Sequence, residues 1–534
     1  MPSLKAVMEH GGGEVATSTT TTSHHELVIS LMRGKLERSA KAEEKVEEVM
    51  GVACPSSSLR SRAIASSLMR PEERWVVFVG PYEHHSNLLS WRRSLAGDVV
   101  EIGADDQGMV DVEALRKALG SPEYAHRPML GSFSACSNVT GIVTDTRELA
   151  RVLHQHGAFA CFDFAASAPY VEIDMRSGAM DGYDAVFLSP HKFVGGPGTP
   201  GILLVNRALY RLAGAPPSTC GGGTVAYVNG FSEADTVYDD DIEEREDAGT
   251  PAIVQKVRAS LAFWVKEHVG RDAVAIRERV YADAAMARLL ANPNVEVLGN
   301  TAAARRLPIF SFLVYPGGRR QRRPLHGRFV AKLLNDLFGV QARGGCACAG
   351  PYGHALLGVG QDLSLRIRDA IVKGYHGVKP GWTRVSFAYY TSRDEFWFIL
   401  AAIDFVAAHG HRFLPLYAFD WATGNWAFRR RAFIKHHDMT TEEDLLLIMR
   451  DRHHNHRHHG SPNDFDGFLR TKKNAAAADA ETGHDDGLSG KFESYLESAT
   501  NIALSLPDTD DDERVVVTTR PPEGLDPEIV LFRV

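Results

Sequence analysis

The sequence predicts an α/β protein with a large, mostly parallel-sheet domain followed by a smaller C-terminal α/β domain. Three observations carry this. From Arg74 to about Val205, short apolar runs alternate with amphipathic segments at the spacing of β-α-β units. Polar clusters fall at the carboxyl ends of those runs, where ligands collect in parallel sheets. After two long helical patterns, Pro251 to Val269 and Asp272 to Asn292, a second and shorter alternation begins.

Taken in order, Trp75–Val79 reads as a buried strand and Val99–Ile102 as a second, before a turn at Asp105–Gly108. Val112–Leu119 has helical periodicity, and Met129–Phe133 is strand-like. Asp145–His156 reads as a helix with Asp145 as its N-cap and Gly157 just past its end. Ala158–Phe164, Asp184–Leu188 and Gly201–Val205 are the next strands. In the second alternation, Val295–Leu298, Ile309–Val314, Val340–Arg343 and Arg384–Tyr389 read as strands, with helices Leu325–Leu337 and Asp394–Ala408 between them. The expected division is 1–70, an N-terminal segment; 71–255, the large domain; 256–410, the small domain; and 411–534, a C-terminal extension. Residues 1–24 read as disordered and Leu27–Met50 as an amphipathic helix. Leu414–Phe433, aromatic and basic, is expected to pack on the small domain, and Val515–Thr519 to add a terminal strand. His453–His459 and Asp508–Arg514 read as solvated low-complexity stretches.

Of the 534 residues, 44% are apolar and 24% charged, which fits a globular chain with a large core. A net charge of −8 gives no general nucleic-acid or membrane footprint, and no apolar run reaches bilayer-spanning length. Arg319–Arg323 is short enough to be an exposed basic turn. Six cysteines and no secretory apolar segment point to a reducing, intracellular compartment, the cytoplasm first. The Ser- and Thr-rich start leaves organelle import open.

The candidate site centres on Lys192, in a loop too glycine- and proline-rich for helix, between two apolar runs. Such a lysine is either an ordinary solvated side chain or an anchor held where backbone approaches a ligand. A lysine that carries pyridoxal phosphate needs an anion for the ring nitrogen, a partner for the ring face and a cradle for the phosphate. Asp163 ends an apolar run upstream and suits the first need, His84 the second, and Ser189 and His191 the third. A second constellation is Arg343-Gly344-Gly345-Cys346-Ala347-Cys348. A cysteine between glycines and near an arginine suits a nucleophile, although free cysteines are also common as small buried hydrophobes. No second cysteine pair or spaced histidines complete a metal site, so no metal is expected.

These stretches, Ser189-Pro190-His191-Lys192 with Gly195-Gly196-Pro197-Gly198, preceded by Glu83-His84-His85-Ser86-Asn87, Ser137-Asn138-Val139-Thr140-Gly141 and Phe162-Asp163-Phe164-Ala165-Ala166, together resemble the class V family of pyridoxal-phosphate enzymes. Within it, the chain looks most like the cysteine desulfurases, over about residues 74 to 410. The resemblance implies a fold-type-I transferase that binds pyridoxal 5'-phosphate and acts on amino acids, with removal of sulfur from L-cysteine as the leading reaction. Transamination, β-elimination, sulfur transfer to a molybdenum cofactor and a non-catalytic scaffold are the alternatives. It gives Lys192 as the cofactor lysine, Asp163 as partner of the ring nitrogen and His84 as the stacking, proton-shuttling imidazole. Asn138 would contact the ring hydroxyl or the substrate carboxylate, and Ser189 and His191 the phosphate. Thr250 would reach the other subunit's site in a homodimer. Arg384 would clamp the substrate carboxylate, with Arg343 beside it. Cys348 takes the nucleophile's place, with Cys346 as the alternative; no sulfur acceptor is implied. The chain departs from the family pattern in two places. Residues 26–73 hold no Gly/Ser/Thr-rich phosphate-binding turn, and Ala166 stands where a glutamine is common.

Overall fold

The computed structural model describes residues 14–16, 70–432, 486–507 and 521–534, apart from gaps at 95, 211–215, 218, 233–234, 304, 319–322 and 431. The histidine tract, the acidic run, Val515–Thr519, the Leu27–Met50 helix and the stretch searched for a phosphate-binding turn up to residue 69 all lie outside the described residues.

The large domain is built on a sheet of β1 (Glu14–Ala16), β2 (Val76–Val79), β3 (Asp98–Glu101), β4 (Met129–Ser134), β5 (Phe159–Asp163), β6 (Ala185–Leu188) and β7 (Ile202–Val205). Their order is β3-β2-β4-β5-β6-β7-β1. The five strands from β3 to β6 run parallel, β7 pairs antiparallel with β6, and β1 pairs antiparallel with β7. Val76, Phe78, Leu130, Phe133, Phe162 and Val186 are buried, as expected where helices cover both faces. Helices α1 (His85–Arg92), α2 (Val112–Leu119) and α3 (Thr146–Gln155) lie in the connections. Asp111 and Asp145 cap α2 and α3 by accepting the backbone N–H groups of Ala114 and Glu148. The edge strand β1 corrects the reading of residues 1–24 as wholly disordered. Glu14–Ala16 takes up the free backbone groups along β7.

A short hairpin, β8 (Val225–Tyr227) and β9 (Val237–Tyr238), and helix α4 (Ile242–Glu246) lead into the long helices α5 (Ile253–Val269) and α6 (Arg271–Ala291). The small domain has the antiparallel sheet β10 (Val295–Val297), β11 (Ile309–Val314), β12 (Arg343–Gly345) and β13 (Trp382–Ser386), in the order β10-β11-β13-β12. Helices α7 (Gly327–Phe338), α8 (Gly350–Leu356), α9 (Gln361–Val372) and α10 (Arg393–His409) complete it. Strand β12 sits later than the Val340–Arg343 expected from its apolar residues. Its pairing needs glycine instead: a Cβ on Gly344 would lie 2.5 Å from the Arg328 Cα of α7.

The described residues beyond 410 contribute to the small-domain core. Strands β14 (Tyr417–Phe419) and β15 (Trp426–Phe428) form a hairpin that buries Trp421 and Trp426, in line with the packing expected of Leu414–Phe433. Helix α11 (Asp486–Ser505) lays Phe492 flat on Phe398 of α10, ring centroids 4.1 Å apart. Near the C-terminus Ile529, Val530 and Phe532 are buried in the same cluster. Each large apolar side chain so buried stabilises the domain by about 2 kcal/mol. No described helix is long and apolar enough to cross a membrane.

Candidate active site

Because β2, β4, β5 and β6 run parallel, their carboxyl ends share one edge of the sheet, and the chain leaves that edge carrying polar groups. Strand β2 delivers Glu83 and His84, β4 delivers Asn138, β5 ends on Asp163, and β6 is followed at once by the 3-10 turn Pro190–Lys192. The Lys192 loop is tight: a Cβ on Gly196 would lie 1.9 Å from the Pro190 carbonyl oxygen. It is fastened to α5, where Phe193 packs on Phe263 (4.7 Å) and Arg258 Nη1 donates to the Pro197 carbonyl at 2.9 Å.

The Lys192 side chain keeps access to solvent, yet protein crowds it from several sides. This desolvation holds its pKa below the usual lysine value, opposed by the Asp163 carboxylate and reinforced by Arg384 and Arg343. Asp163 is buried; its Oδ1 accepts the Ala165 N–H at 2.8 Å, which leaves Oδ2 for a ligand. His84 caps α1, and its Nδ1 accepts the Ser86 backbone N–H at 3.1 Å, so the neutral ring carries its proton on Nε2. Burial, then the positive charge of Lys192, pushes the His84 pKa down to about 4. The imidazole is therefore neutral near pH 7.

Sequence reasoning gave no role to Glu83, whose buried carboxylate pins this edge together. Oε1 accepts the backbone N–H groups of Gly80 and Ser134 at 3.1 and 2.9 Å. Oε2 accepts the Ser134 hydroxyl at 2.6 Å and the Asn87 amide at 2.5 Å. Desolvation raises its pKa to about 7. The available signal was the Glu83–Asn87 spacing, one helical turn at the start of α1.

Strands β12 and β13 bring the small domain to the same place. Arg343 and Arg384 are directly paired across the two strands, and their mutual repulsion helps hold Arg384 below its ordinary pKa, after burial. Like charges facing each other in a sheet are unfavourable unless an anion joins them. Arg343 Nη2 donates to Cys348 Sγ at 3.3 Å, and Arg384 Nη1 to the Asn138 carbonyl at 2.8 Å. The Asn138 amide donates to the Ala347 carbonyl at 2.8 Å, while its buried Oδ1 has no partner among the described residues. The Cys348 carbonyl accepts the His85 N–H at 2.8 Å.

Lys192, Asp163, His84, Asn138, Arg343, Arg384 and Cys348 thus converge on one pit between the domains. Ser189 is half-buried without a side-chain cap bond, and His191 is exposed beside Lys192. Thr250 is exposed ahead of α5, and no described contact joins it to this cluster.

A family model for the class-V aminotransferases matches residues 22–396. The chain belongs to that family. Class-V aminotransferases depend on pyridoxal phosphate, and at the ring end these residues fit such a group: a lysine of lowered pKa, a buried carboxylate with one oxygen free, and a partnerless amide oxygen. The match begins inside the N-terminal segment, so residues 22–70 are part of the class-V aminotransferase pattern. A probable cysteine desulfurase of Halobacterium salinarum is 29% identical over 325 residues, 60% of this chain and 67% of that protein. Probable cysteine desulfurase 2 of Mycobacterium leprae is 30% identical over 279 residues, 52% of this chain and 60% of that one. Among solved structures, the apo cysteine desulfurase from Thermococcus onnurineus NA1 superposes with a TM-score of 0.53 at 22% identity, over 74% of this chain and 79% of that chain. This last likeness bears on the class-V fold alone.

Proposed function

We infer that this class-V aminotransferase is a cysteine desulfurase, forming alanine and a persulfide on Cys348 from L-cysteine. The observation that carries the reading is Cys348 Sγ beside Arg343, in the pit that also holds Lys192 and Arg384. When bound, pyridoxal phosphate supplies an electron sink for chemistry at the amino acid's carbons. Lys192 anchors it and, with a lowered pKa, moves a proton at the substrate's carbon. Asp163 would keep a proton on the ring nitrogen and the neutral His84 would cover the ring; His84 can take up a proton at Nδ1 only by giving up the Ser86 N–H. Ser189 and His191, on the turn that carries Lys192, would hold the phosphate. Arg384 spends one N–H on the Asn138 carbonyl and turns the rest to the substrate carboxylate, the anion that relieves its pairing with Arg343.

The sulfur step balances within this set. The Cys348 thiolate attacks the sulfur of the substrate cysteine, a sulfur–sulfur bond forms as the carbon–sulfur bond breaks, and the carbon fragment takes up a proton and leaves as alanine. The test is to give the yellow, full-length protein L-cysteine and measure alanine together with sulfur on Cys348 by peptide mass. Keto-acid formation without alanine would replace this reading with transamination.

The same reading includes a homodimer. Val254, Val257, Leu261, Trp264 and Val265 recur at helical spacing along one face of α5, and Val254 and Trp264 are 73% and 61% exposed. With Val194 and Gly195 of the Lys192 loop, part of this stripe lines a groove of about 400 Å³. An apolar face of this extent on a soluble chain marks an interface. A second copy laid there would bring its own Thr250, just ahead of α5, towards the phosphate end. Trp264→Asp is expected to shift the protein from dimer to monomer in sedimentation velocity and to weaken cofactor retention. A monomeric parent protein would remove this part of the proposal.

A further inference from the structure

Ala347 and Cys348 both have left-handed backbone conformations, φ +53° and +59°, although neither is glycine. Each such residue costs on the order of 1 kcal/mol, and strain of this kind persists only where surroundings impose it. Here three contacts do so. The Ala349 N–H donates to the Cys346 carbonyl at 3.1 Å, closing a four-residue turn. Asn138 holds the Ala347 carbonyl, and the His85 N–H holds that of Cys348. Successive positive φ angles inside a hydrogen-bonded turn describe a primed turn, with Cys346 first and Cys348 third. A left-handed turn has the same radius and rise as its right-handed mirror image, so the Cα atoms of its first and third residues lie about 5.5 Å apart. That falls within the span a disulfide bridges. Cys346 also lines a cavity of about 30 Å³ together with Arg328, His376 and Lys379.

We propose that Cys346 is a resolving thiol that closes a reversible disulfide with Cys348 and so releases the transferred sulfur as hydrosulfide. This rests on the desulfurase reading for the origin of the sulfur, while the thiol pair itself does not. The Cys346 thiolate attacks the inner sulfur of the Cys348 persulfide. The Cys346–Cys348 bond forms, the bond between the two persulfide sulfurs breaks, and its electron pair leaves with the outer sulfur as HS⁻. Attack in line with the breaking bond sends the anion off on the side of Cys348 away from Cys346. Two equivalents of a small thiol then reduce the disulfide and restore both cysteines. A bridge so short is strained and therefore easily reduced, which suits turnover.

Two measurements on the full-length holoprotein test this. Diamide, an azo thiol oxidant, added without cysteine is expected to give a peptide carrying a Cys346–Cys348 bridge, absent in Cys346→Ser. Absence of the bridge in the parent protein overturns the proposal. With L-cysteine limited to one equivalent per subunit and no other thiol, the parent is expected to release sulfide and lose two hydrogens from the 346–348 peptide. Cys346→Ser and Cys346→Ala are expected to hold the extra sulfur on Cys348 at least about tenfold longer, the advantage of a neighbouring nucleophile being lost. Equal persulfide lifetimes, or the sulfur found on Cys346, overturn it as well. If neither the parent nor the variants gain sulfur from cysteine, the desulfurase reading falls and the release step with it. The diamide bridge then still decides whether the thiols are paired. Retained yellow absorbance in both variants excludes misfolding as the cause.

Discussion

Lys192→Ala is expected to yield a folded, colourless protein that no longer turns over any amino acid. The reason lies in how the pit treats that amine. Crowding and two nearby guanidinium groups disfavour its ammonium form, opposed chiefly by Asp163. A lysine in this setting gives up its proton more readily than a solvated lysine, and the free amine is what covalent attachment of an aldehyde requires. Alanine removes the amine and keeps the turn, since Pro190, Gly196 and the Phe193–Phe263 contact are untouched. The expected loss is on the order of 10⁴-fold or more in turnover, with thermal stability unchanged or raised, because a crowded cation is gone. The control is Lys266, whose pKa is pushed further down, to about 8. Its Nζ is committed to the carbonyls of Ala168 and Val171, both at 2.6 Å, and lies 5.6 Å from the Phe193 ring centroid, so it is a structural donor that ties the 168–171 segment against the Lys192 loop. Lys266→Met should therefore loosen the loop and leave the colour. If colour disappears with Lys266 and survives in Lys192→Ala, the anchor has been assigned to the wrong lysine.

The reasons that made the large domain and its pit legible also explain what stayed hidden. Parallel strands buried on both faces announce themselves as apolar runs, and the topology then forces their polar C-terminal neighbours together. Asp163, Asn138, His84 and Lys192 could be placed for that reason. Helix α1 was missed because its first turn is His85, Ser86 and Asn87, a polar start whose apolar side shows only at Leu88 and Trp91. Strand β12 was misplaced because pairing and the approach of α7 demand glycine, which carries no apolar signal. The segments after Phe433 read as an extension because their contribution rests on scattered apolar residues such as Phe492 and Phe532, each meaningful only against a distant partner. Hardest of all was the conformation of Ala347 and Cys348. Alanine and cysteine do not favour positive φ, so only the tertiary contacts from Asn138 and His85 reveal the turn.

That turn makes Cys348→Ser an informative substitution. Serine is close to cysteine in shape, so the turn, the His85 contact to its carbonyl and the Asn138 contact to Ala347 should all persist. The yellow absorbance and the spectral change on adding cysteine are expected to remain, since neither depends on the thiol. What disappears is the nucleophile. A hydroxyl ionises far less readily than a thiol and is a poor partner for divalent sulfur, even with Arg343 positioned beside it. Alanine formation from cysteine should fall on the order of 10³-fold, and no sulfur should be recovered on the 346–348 peptide. The two arginines then separate binding from chemistry. Arg343→Lys keeps a positive charge near Cys348 and should lower the rate of persulfide formation with little change in KM. Arg384→Lys loses the fork that meets a carboxylate and should raise KM instead. Sulfur still found on Cys346 in Cys348→Ser would make Cys346 the nucleophile, and the turn that presents both thiols would have been read in the wrong direction.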